Sequence, residues 1–291
     1  MSGMAAGQLM ISLGGDGGAG LFLLASVMVS IAVVPILITA SAAPSFEAPE
    51  RISFRRLVQV SPLAVVGMIF VGIVISMVLG MGAVYGRSIG LDNTQVGYFM
   101  TSITLGTLAL QYPVGRLSDK FDRRIVIFGV TVTSGITIGI ATLFGADQFA
   151  LLSIMMLIFG GLIFSLYSLF IAHANDYLPP SQMVAMSSGL LMVNGAGAVI
   201  GSPLAALVIE IFGTRGFMPT ITGFLFLLAG FILYRMTASS AVPAEAQGAF
   251  VAIPDASSGV AVNLSPEVEW VMDQDEDDDE NDPFKNNPYV N

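Results

Sequence analysis

Long apolar stretches separated by short charged ones dominate the first 236 positions of this chain. A transmembrane helix needs about 20 apolar residues, because each residue adds about 1.5 Å. Transmembrane strands would instead give short segments of alternating polarity. The pattern therefore predicts an all-α integral membrane protein with seven transmembrane helices. They lie in the charge-free stretches between Asp16 and Glu47, Arg56 and Arg87, Asp92 and Arg116, Arg124 and Asp147, Asp147 and Asp176, Asp176 and Glu210, and Arg215 and Arg235.

The same pattern divides the chain into five segments. We expect an extracytoplasmic stub over 1–18, a first transmembrane helix over 19–43, a cytoplasmic linker over 44–56, a six-helix transmembrane bundle over 57–236, and an acidic, disordered cytoplasmic tail over 237–291. Residues before the tail carry ten basic and nine acidic side chains, whereas the tail carries one and twelve. A run of like charges of this kind cannot form a packed core.

Orientation follows from the distribution of Lys and Arg, which concentrate in cytoplasmic loops. Eight basic residues lie on one side of the predicted helices, namely Arg51, Arg55, Arg56, Arg116, Lys120, Arg123, Arg124 and Arg235. The opposite side holds only Arg87 and Arg215. This asymmetry predicts a protein of the plasma membrane whose N-terminus lies outside the cell and whose C-terminal tail lies in the cytoplasm.

Composition limits the kinds of functional site that the chain can form. Only 11% of the residues are charged, whereas about a quarter are charged in soluble domains. The chain has no cysteine and one histidine, His173, so the sequence predicts no metal site. Neither a nucleophile–base set nor a phosphate-binding loop is found, and we therefore expect no enzymatic activity, no cofactor and no nucleic-acid partner.

One short turn within 111–129, "QYPVGRLSDKFDRRIVIFG", holds four of the eleven Lys and Arg residues. Gly115 allows a neighbouring helix to approach closely, and Asp119 can accept amide hydrogen bonds at the start of the next helix. Arg123 and Arg124 can reach carboxylates or free carbonyls at the C-terminal end of another helix. Basic turns are also ordinary topology signals, and residue types alone leave both interpretations open.

The order of residues in this turn resembles a signature of the major facilitator superfamily, glycine–x–leucine–x–aspartate–basic–x–glycine–basic–basic. The matching positions are Gly115, Leu117, Asp119, Lys120, Arg123 and Arg124, while Asp122 departs by occupying the second glycine position. Residues 172–206 are similar to the tenth-to-eleventh helix connection of bacterial facilitators whose substrates are mostly unassigned. There Asn175 and Asp176 close one helix, and Pro179 and Pro180 form the turn.

The resemblance implies that the seven helices are helices six to twelve of a transporter in the bacterial inner membrane. The last six would form the C-terminal facilitator bundle. We then expect a fragment whose partners are the lipid bilayer, a small-molecule substrate and a missing N-terminal six-helix half. The implied function is transport of a small solute by alternating access, as a secondary active transporter. The alternative is a non-transporting seven-helix membrane protein whose acidic tail recruits a cytosolic partner.

Two groups of residues acquire roles from this resemblance, and a third follows from helical spacing. The resemblance implies a conformational latch on the cytoplasmic side, formed by Gly115, Arg116, Asp119, Lys120, Arg123 and Arg124. A close-packing seam is expected at Gly197 and Gly201, which are four apart on one helix face. The candidate substrate cavity comprises Ser76, Tyr85, Gln111, Ser165, Tyr167, Ser168 and Asn194, and for each of these a helix–helix hydrogen bond is the competing interpretation.

Overall fold

The computed structural model describes residues 23, 26–31, 34 and 53–238, apart from the side chains at positions 180, 181 and 238. Residues 23, 26–31 and 34 are helical. From residue 54 onward the described chain forms helices α1 (Phe54–Val60), α2 (Pro62–Ser88), α3 (Asn93–Lys120), α4 (Arg123–Ala141), α5 (Phe149–Asn175), α6 (Pro180–Phe212) and α7 (Phe217–Ala238). Short 3₁₀ turns precede α5 and α7.

Local sequence explains where these helices begin and how the chain turns between them. The Asp92 carboxylate accepts a 2.7 Å hydrogen bond from the Gln95 amide, and the Gln95 side chain accepts a 3.0 Å bond from the Asp92 amide. This reciprocal pair fixes the start of α3. Pro180 occupies the first turn of α6, where no amide hydrogen is needed. Gly90 (φ 96°) and Gly213 (φ 70°) allow the tight connections from α2 to α3 and from α6 to α7.

Short connections join α2 to α7 in sequence, so consecutive helices run in opposite directions. The starts of α2, α4 and α6 therefore share one side of the bundle with the ends of α3, α5 and α7. We call this side the basic end, because Arg116, Lys120, Arg123 and Arg124 lie there. The most extensive helix contacts join α2 to α6, α3 to α5, and α4 to both α5 and α7.

The α2–α6 pair approaches to backbone contact. A Cβ atom added to Gly197 would overlap the carbonyl oxygen of Ile69, and one added to Gly201 would overlap that of Ile73. Contacting positions rise together along both helices, so α2 and α6 run parallel. Glycine therefore supplies the space that lets these two backbones touch.

The α3–α5 pair has the same construction. Gly106 faces the Leu157 carbonyl, Gly160 faces the Ile103 carbonyl, and Gly161 faces the carbonyl of Gly106. Small residues stand on both helices, as they do in the α2–α6 pair, where a Cβ atom added to Gly72 of α2 would overlap the Asn194 carbonyl of α6. Both pairs leave no room for a larger side chain at their closest approach.

Among the described residues, five helical stretches are long and apolar enough to cross a membrane: Pro62–Ser88, Arg123–Ala141, Ala146–Asn175, Gln182–Phe212 and Thr214–Thr237. Over the residues that the structure describes, the predicted all-helical architecture with membrane-spanning helices is thereby confirmed. The third predicted span forms α3, but this helix is not among the five because polar residues such as Thr101, Thr104, Thr107 and Gln111 reduce its hydropathy.

The exact count of seven spans stays a prediction, as do the segment boundaries. Most of the first predicted span, 19–43, lies outside the described residues, as do the stub 1–18 and nearly all of the tail 237–291. Of the predicted linker 44–56, the described part begins at residue 53 and enters α1 at Phe54. Helix α1 packs Leu57 against Gly189 of α6.

Candidate functional site

The turn between α3 and α4 contains only Phe121 and Asp122. The Asp122 carboxylate accepts a 2.9 Å hydrogen bond from the Arg124 amide, so Asp122 caps α4. The expectation that Asp119 performs this role is wrong, because α3 continues through Lys120 and leaves Asp119 inside its last turn. A capping side chain must directly precede the helix that it caps. The residue that departs from the family signature is thus the one that starts α4.

Arg123 forms a buried ion pair with Asp176, the residue that follows α5. The Arg123 Nη1 to Asp176 Oδ1 distance is 2.5 Å, and the two side chains are 1% and 3% exposed. Asp119 contributes a longer contact, with its Oδ1 3.7 Å from Arg123 Nη2 and its side chain 40% exposed. The sequence predicted that Arg123 could reach a carboxylate at the C-terminal end of another helix, and Asp176 is that carboxylate. The ion pair fastens the α3–α4 turn to the end of α5.

Arg124 binds the next residue of the same connection. Its Nη2 donates a 2.5 Å hydrogen bond to the Tyr177 hydroxyl oxygen. Burial raises the pKa of the Tyr177 hydroxyl, which therefore stays protonated and neutral beside the guanidinium. The His173 ring packs edge-on against Tyr177, with ring centroids 5.3 Å apart. Two consecutive arginines thus hold two consecutive residues that follow α5.

The remaining residues of the predicted latch lie on the last turns of α3. Gly115 is buried, whereas Arg116 and Lys120 are exposed. The Arg116 guanidinium carbon lies 4.8 Å from the centroid of the Tyr112 ring, in cation–π geometry. The predicted latch therefore has a buried part, Arg123 with Arg124, and an exposed part along α3.

Two predicted cavity residues join α2 to α6. The Ser76 hydroxyl donates a 2.6 Å hydrogen bond to the Ala198 carbonyl, and the Ser202 hydroxyl donates a 2.8 Å bond to the Ser76 carbonyl. The Asn194 side-chain amide donates a 3.1 Å bond to the Met68 carbonyl. Polar groups in a membrane bundle find such partners because lipid offers none.

The other predicted cavity residues lie on α2, α3 and α5. The Gln111 amide donates a 3.2 Å hydrogen bond to the Ser168 hydroxyl, which joins α3 to α5. The Ser165 hydroxyl donates to a carbonyl of its own helix at 2.7 Å. Tyr167 is 1% exposed, and Tyr85 stacks on an aromatic ring of α7 at 4.9 Å.

The structure therefore places most of the predicted cavity residues inside the bundle, and several of them form interhelical hydrogen bonds. Five are no more than 9% exposed, namely Tyr85, Ser165, Tyr167, Ser168 and Asn194. These contacts give the competing interpretation a geometric basis. Contact of these side chains with a substrate stays a prediction.

Sequence reasoning missed three participants in the basic end: Asp122 as the cap, and Asp176 and Tyr177 as arginine partners. A signal for Asp176 was present, because the predicted topology places this acid on the same side of the membrane as the basic turn. Tyr177 carried no signal of its own. Its role depends on the path of the connection after α5, which helical periodicity does not define.

Comparisons with known proteins agree on one family. The sequence model of the Major Facilitator Superfamily matches residues 64–270, more than half of the chain. The "Uncharacterized MFS-type transporter YcaD" of Salmonella arizonae is 28% identical over 189 residues, which cover 63% of this chain and 47% of the relative. Proteins of the same name from Salmonella paratyphi B and Salmonella typhimurium are 29% identical over 185 residues, with the same coverage. The chain spans about half the length of these relatives, and no solved structure matches it.

Proposed function

Since this chain belongs to the Major Facilitator Superfamily, we propose that it supplies one helical bundle of a transporter that moves a small solute by alternating access. In that mechanism two bundles rock against each other about a central site. Membership of a transporter family favours this function over a non-transporting membrane protein with a recruiting tail. We propose that the protein lies in a bacterial inner membrane with its basic end on the cytoplasmic side. We assign the protein no catalytic step.

The observation that carries the proposal is the backbone contact in both long helix pairs. Gly197 and Gly201 bring α6 onto α2, while Gly106, Gly160 and Gly161 bring α3 onto α5. Interlocked carbonyls and glycines resist sliding, because any shift forces a side chain or a carbonyl into occupied space. Such a bundle moves as one body, which rocking between two access states requires.

The face that meets a second bundle is assigned to α6. In its most apolar stretch only 22% of residues are buried, compared with 67% in α2. Met192 and Val199 are 80% and 76% exposed, and they are seven residues apart, which places them on one helix face. We propose that this apolar face packs against the N-terminal bundle of the complete transporter.

The basic end has two functions under this proposal. The Arg123–Asp176 pair is buried, and separating one partner of such a pair costs about 3–5 kcal/mol, so it acts as a permanent fastening within the bundle. Exposed ion pairs contribute only about 0.2–1 kcal/mol, a range suited to a contact that opens in every cycle. Asp119, Arg116 and Lys120 therefore form the reversible part of the latch.

Cysteine labelling tests alternating access without knowledge of the substrate. The chain has no cysteine, so a single Leu117→Cys at the 46% exposed position on α3 reports access to the basic end. In native membranes, where any chain that packs against this bundle is present, Asp119→Asn should raise its reaction rate with an impermeant maleimide by about two- to fivefold. Asp147→Asn, an exposed acid at the opposite end, serves as the matched control.

Equal labelling rates in all three proteins would remove Asp119 from the latch. An equal increase with Asp147→Asn would attribute the effect to overall charge and not to the basic end. A rate that stays unchanged even when the membranes are incubated with broad mixtures of solutes would contradict alternating access itself.

A further inference from the structure

The last turns of α3 present an exposed surface that combines aromatic, apolar and basic side chains. Tyr112, Arg116 and Lys120 are spaced by four residues and form one stripe, and Leu117 and Phe121 form the adjacent one. Tyr112 is 64% exposed, Leu117 46% and Phe121 55%. We call these five residues the α3-end patch. Exposed Tyr and Phe beside two cations form a surface that matches an acidic ligand with apolar side chains.

The sequence of the chain contains such a ligand. Residues 268–284 read "VEWVMDQDEDDDENDPF", which places the single tryptophan, Trp270, three residues before the acidic run 273–282 and Phe284 two residues after it. This acidic–aromatic segment carries no basic residue. Its composition is complementary to that of the α3-end patch in both charge and apolar content.

We infer that the acidic–aromatic segment of this chain docks on the α3-end patch. Helix α7 ends at the basic end, so the chain leaves the bundle on the side where the patch lies. The connection from residue 239 to residue 267 is long enough, because a random coil of that length spans about 30 Å, two to three helix diameters. Tethering at this range gives an effective concentration in the millimolar range, at which weak contacts are occupied. The inference does not depend on the proposed transport.

The acidic segment fits the patch better than it fits the buried arginines of the turn. Arg123 and Arg124 are 1% and 6% exposed and already bind Asp176 and Tyr177. Arg116 and Lys120 are exposed and accessible from outside the bundle. Anionic lipid headgroups are the other ligands of suitable charge, and they would repel the acidic segment from the membrane surface. A docked segment therefore shields the patch from lipid headgroups. If lipid headgroups occupied the patch, the segment would remain in solution.

The two lysines of the chain make cross-linking a sharp test. They are Lys120 in the patch and Lys285 beside the acidic segment. A zero-length carbodiimide reagent joins an amine to a contacting carboxylate. In the full chain, in phosphatidylcholine nanodiscs at 10 mM salt, we expect mass spectrometry to find Lys120 joined to acids between 273 and 282. The yield should fall severalfold at 1 M salt, because the Debye length shrinks from about 30 Å to about 3 Å.

Three variants separate docking from chance encounter. Arg116→Gln removes one cation of the patch and should lower the Lys120 cross-link yield by about threefold, the effect expected of one exposed ion pair. The matched control is Arg55→Gln, an exposed arginine on α1, which should leave the yield unchanged. Replacing the acids of the acidic–aromatic segment by Asn and Gln leaves the helices untouched. If docking shields Trp270 from water, this replacement should shift its fluorescence emission to that of an exposed indole.

Mixtures of isotope-labelled and unlabelled chains identify the occupant of the patch. The inference requires cross-links within one chain, so links between labelled and unlabelled chains would show that a second copy occupies the patch and would overturn it. Equal cross-link yields in Arg116→Gln and Arg55→Gln would also overturn it. Quenching of Trp270 by brominated lipid would place the segment in the bilayer instead. Trp270 emission that changes neither with salt nor with neutralisation of the acids would show that the segment does not dock.

Discussion

Replacement of Asp176 by Asn removes the charge that the buried Arg123 guanidinium contacts. The substitution preserves the shape of the side chain and retains one oxygen that accepts a hydrogen bond. It leaves Arg123, 1% exposed, with Asp119 as the nearest carboxylate, at 3.7 Å. We expect the positive charge to stay buried at the start of α4, because the surrounding side chains enclose Arg123 almost completely.

The magnitude follows from burial on both sides of the pair. Removing one partner of a buried ion pair destabilises a protein by about 3–5 kcal/mol, since an uncompensated charge remains. Asp119 is 40% exposed and gives only part of that compensation, about 0.2–1 kcal/mol. We therefore expect Asp176→Asn to lower the free energy of unfolding by about 3 kcal/mol, and Asp119→Asn by no more than about 1 kcal/mol.

Unfolding in mixed micelles, titrated with dodecyl sulfate and followed by circular dichroism, measures both variants on one scale. The double variant Arg123→Gln/Asp176→Asn completes a mutant cycle, because it removes the buried charge together with its partner. It should lose less stability than the sum of the two single variants, with a coupling of about 2 kcal/mol. Asp147→Asn at the opposite end is the control for the loss of a carboxylate.

The reasoning would be refuted by an Asp176→Asn protein as stable as the wild type. Additive losses in the mutant cycle would refute it as well, because they would show that Arg123 and Asp176 do not depend on each other. A loss for Asp119→Asn equal to that for Asp176→Asn would show that exposure does not separate a permanent fastening from a reversible contact.

Two further substitutions and one truncation test the packing, the cap and the tail. Gly201→Ala places a methyl group against the Ile73 carbonyl and should cost about 1–3 kcal/mol of unfolding free energy, whereas Gly230→Ala, with open space around it, should cost nothing; equal effects would contradict the seam. Asp122→Ala removes the cap of α4 and should cost about 1 kcal/mol in the same titration; no loss would leave the start of α4 without its assigned cause. Truncation after Ser240 removes only the weak contacts of a docked surface segment and should cost no more than about 1 kcal/mol of unfolding free energy; a larger loss would show that the bundle depends on the tail to fold.

Helix positions were accessible from the sequence because lipid imposes a length and a composition on every span. The connection at Pro179 and Pro180 was predictable for a different local reason, because proline fixes where α6 can start. The end of α5 at Asn175 with Asp176 beyond it was also expected, and it is confirmed. These features depend only on residues that are close in the chain.

Pairing at the basic end could not be derived in the same way. Asp119 and Asp122 are three residues apart, and either acid suits the start of a helix by its chemistry. The choice depends on where α3 stops, and it continues to Lys120. Boundaries of this kind are set by packing over the last helical turn, which leaves no mark on local composition.

The candidate cavity shows a further limit of sequence reasoning. Polar residues on transmembrane helices are equally suited to solute and to a neighbouring helix, and the sequence does not say which face is which. In the structure Ser76, Gln111 and Asn194 hydrogen-bond to a neighbouring helix. Helix rotation decides this outcome, and rotation is set by glycine contacts between residues far apart in the chain.

Solute flux is the most direct test of the proposed transport. Membrane vesicles from cells that express the gene at its native locus would be incubated with a mixture of sugars, amino acids, organic ions and amphiphilic compounds. Mass spectrometry of the vesicle contents would then be compared with vesicles from cells that lack the gene. The proposal predicts at least one solute whose entry depends on the protein, saturates with concentration and reverses with the gradient. Identical contents across the whole mixture, with the protein present and inserted, would contradict a transport function.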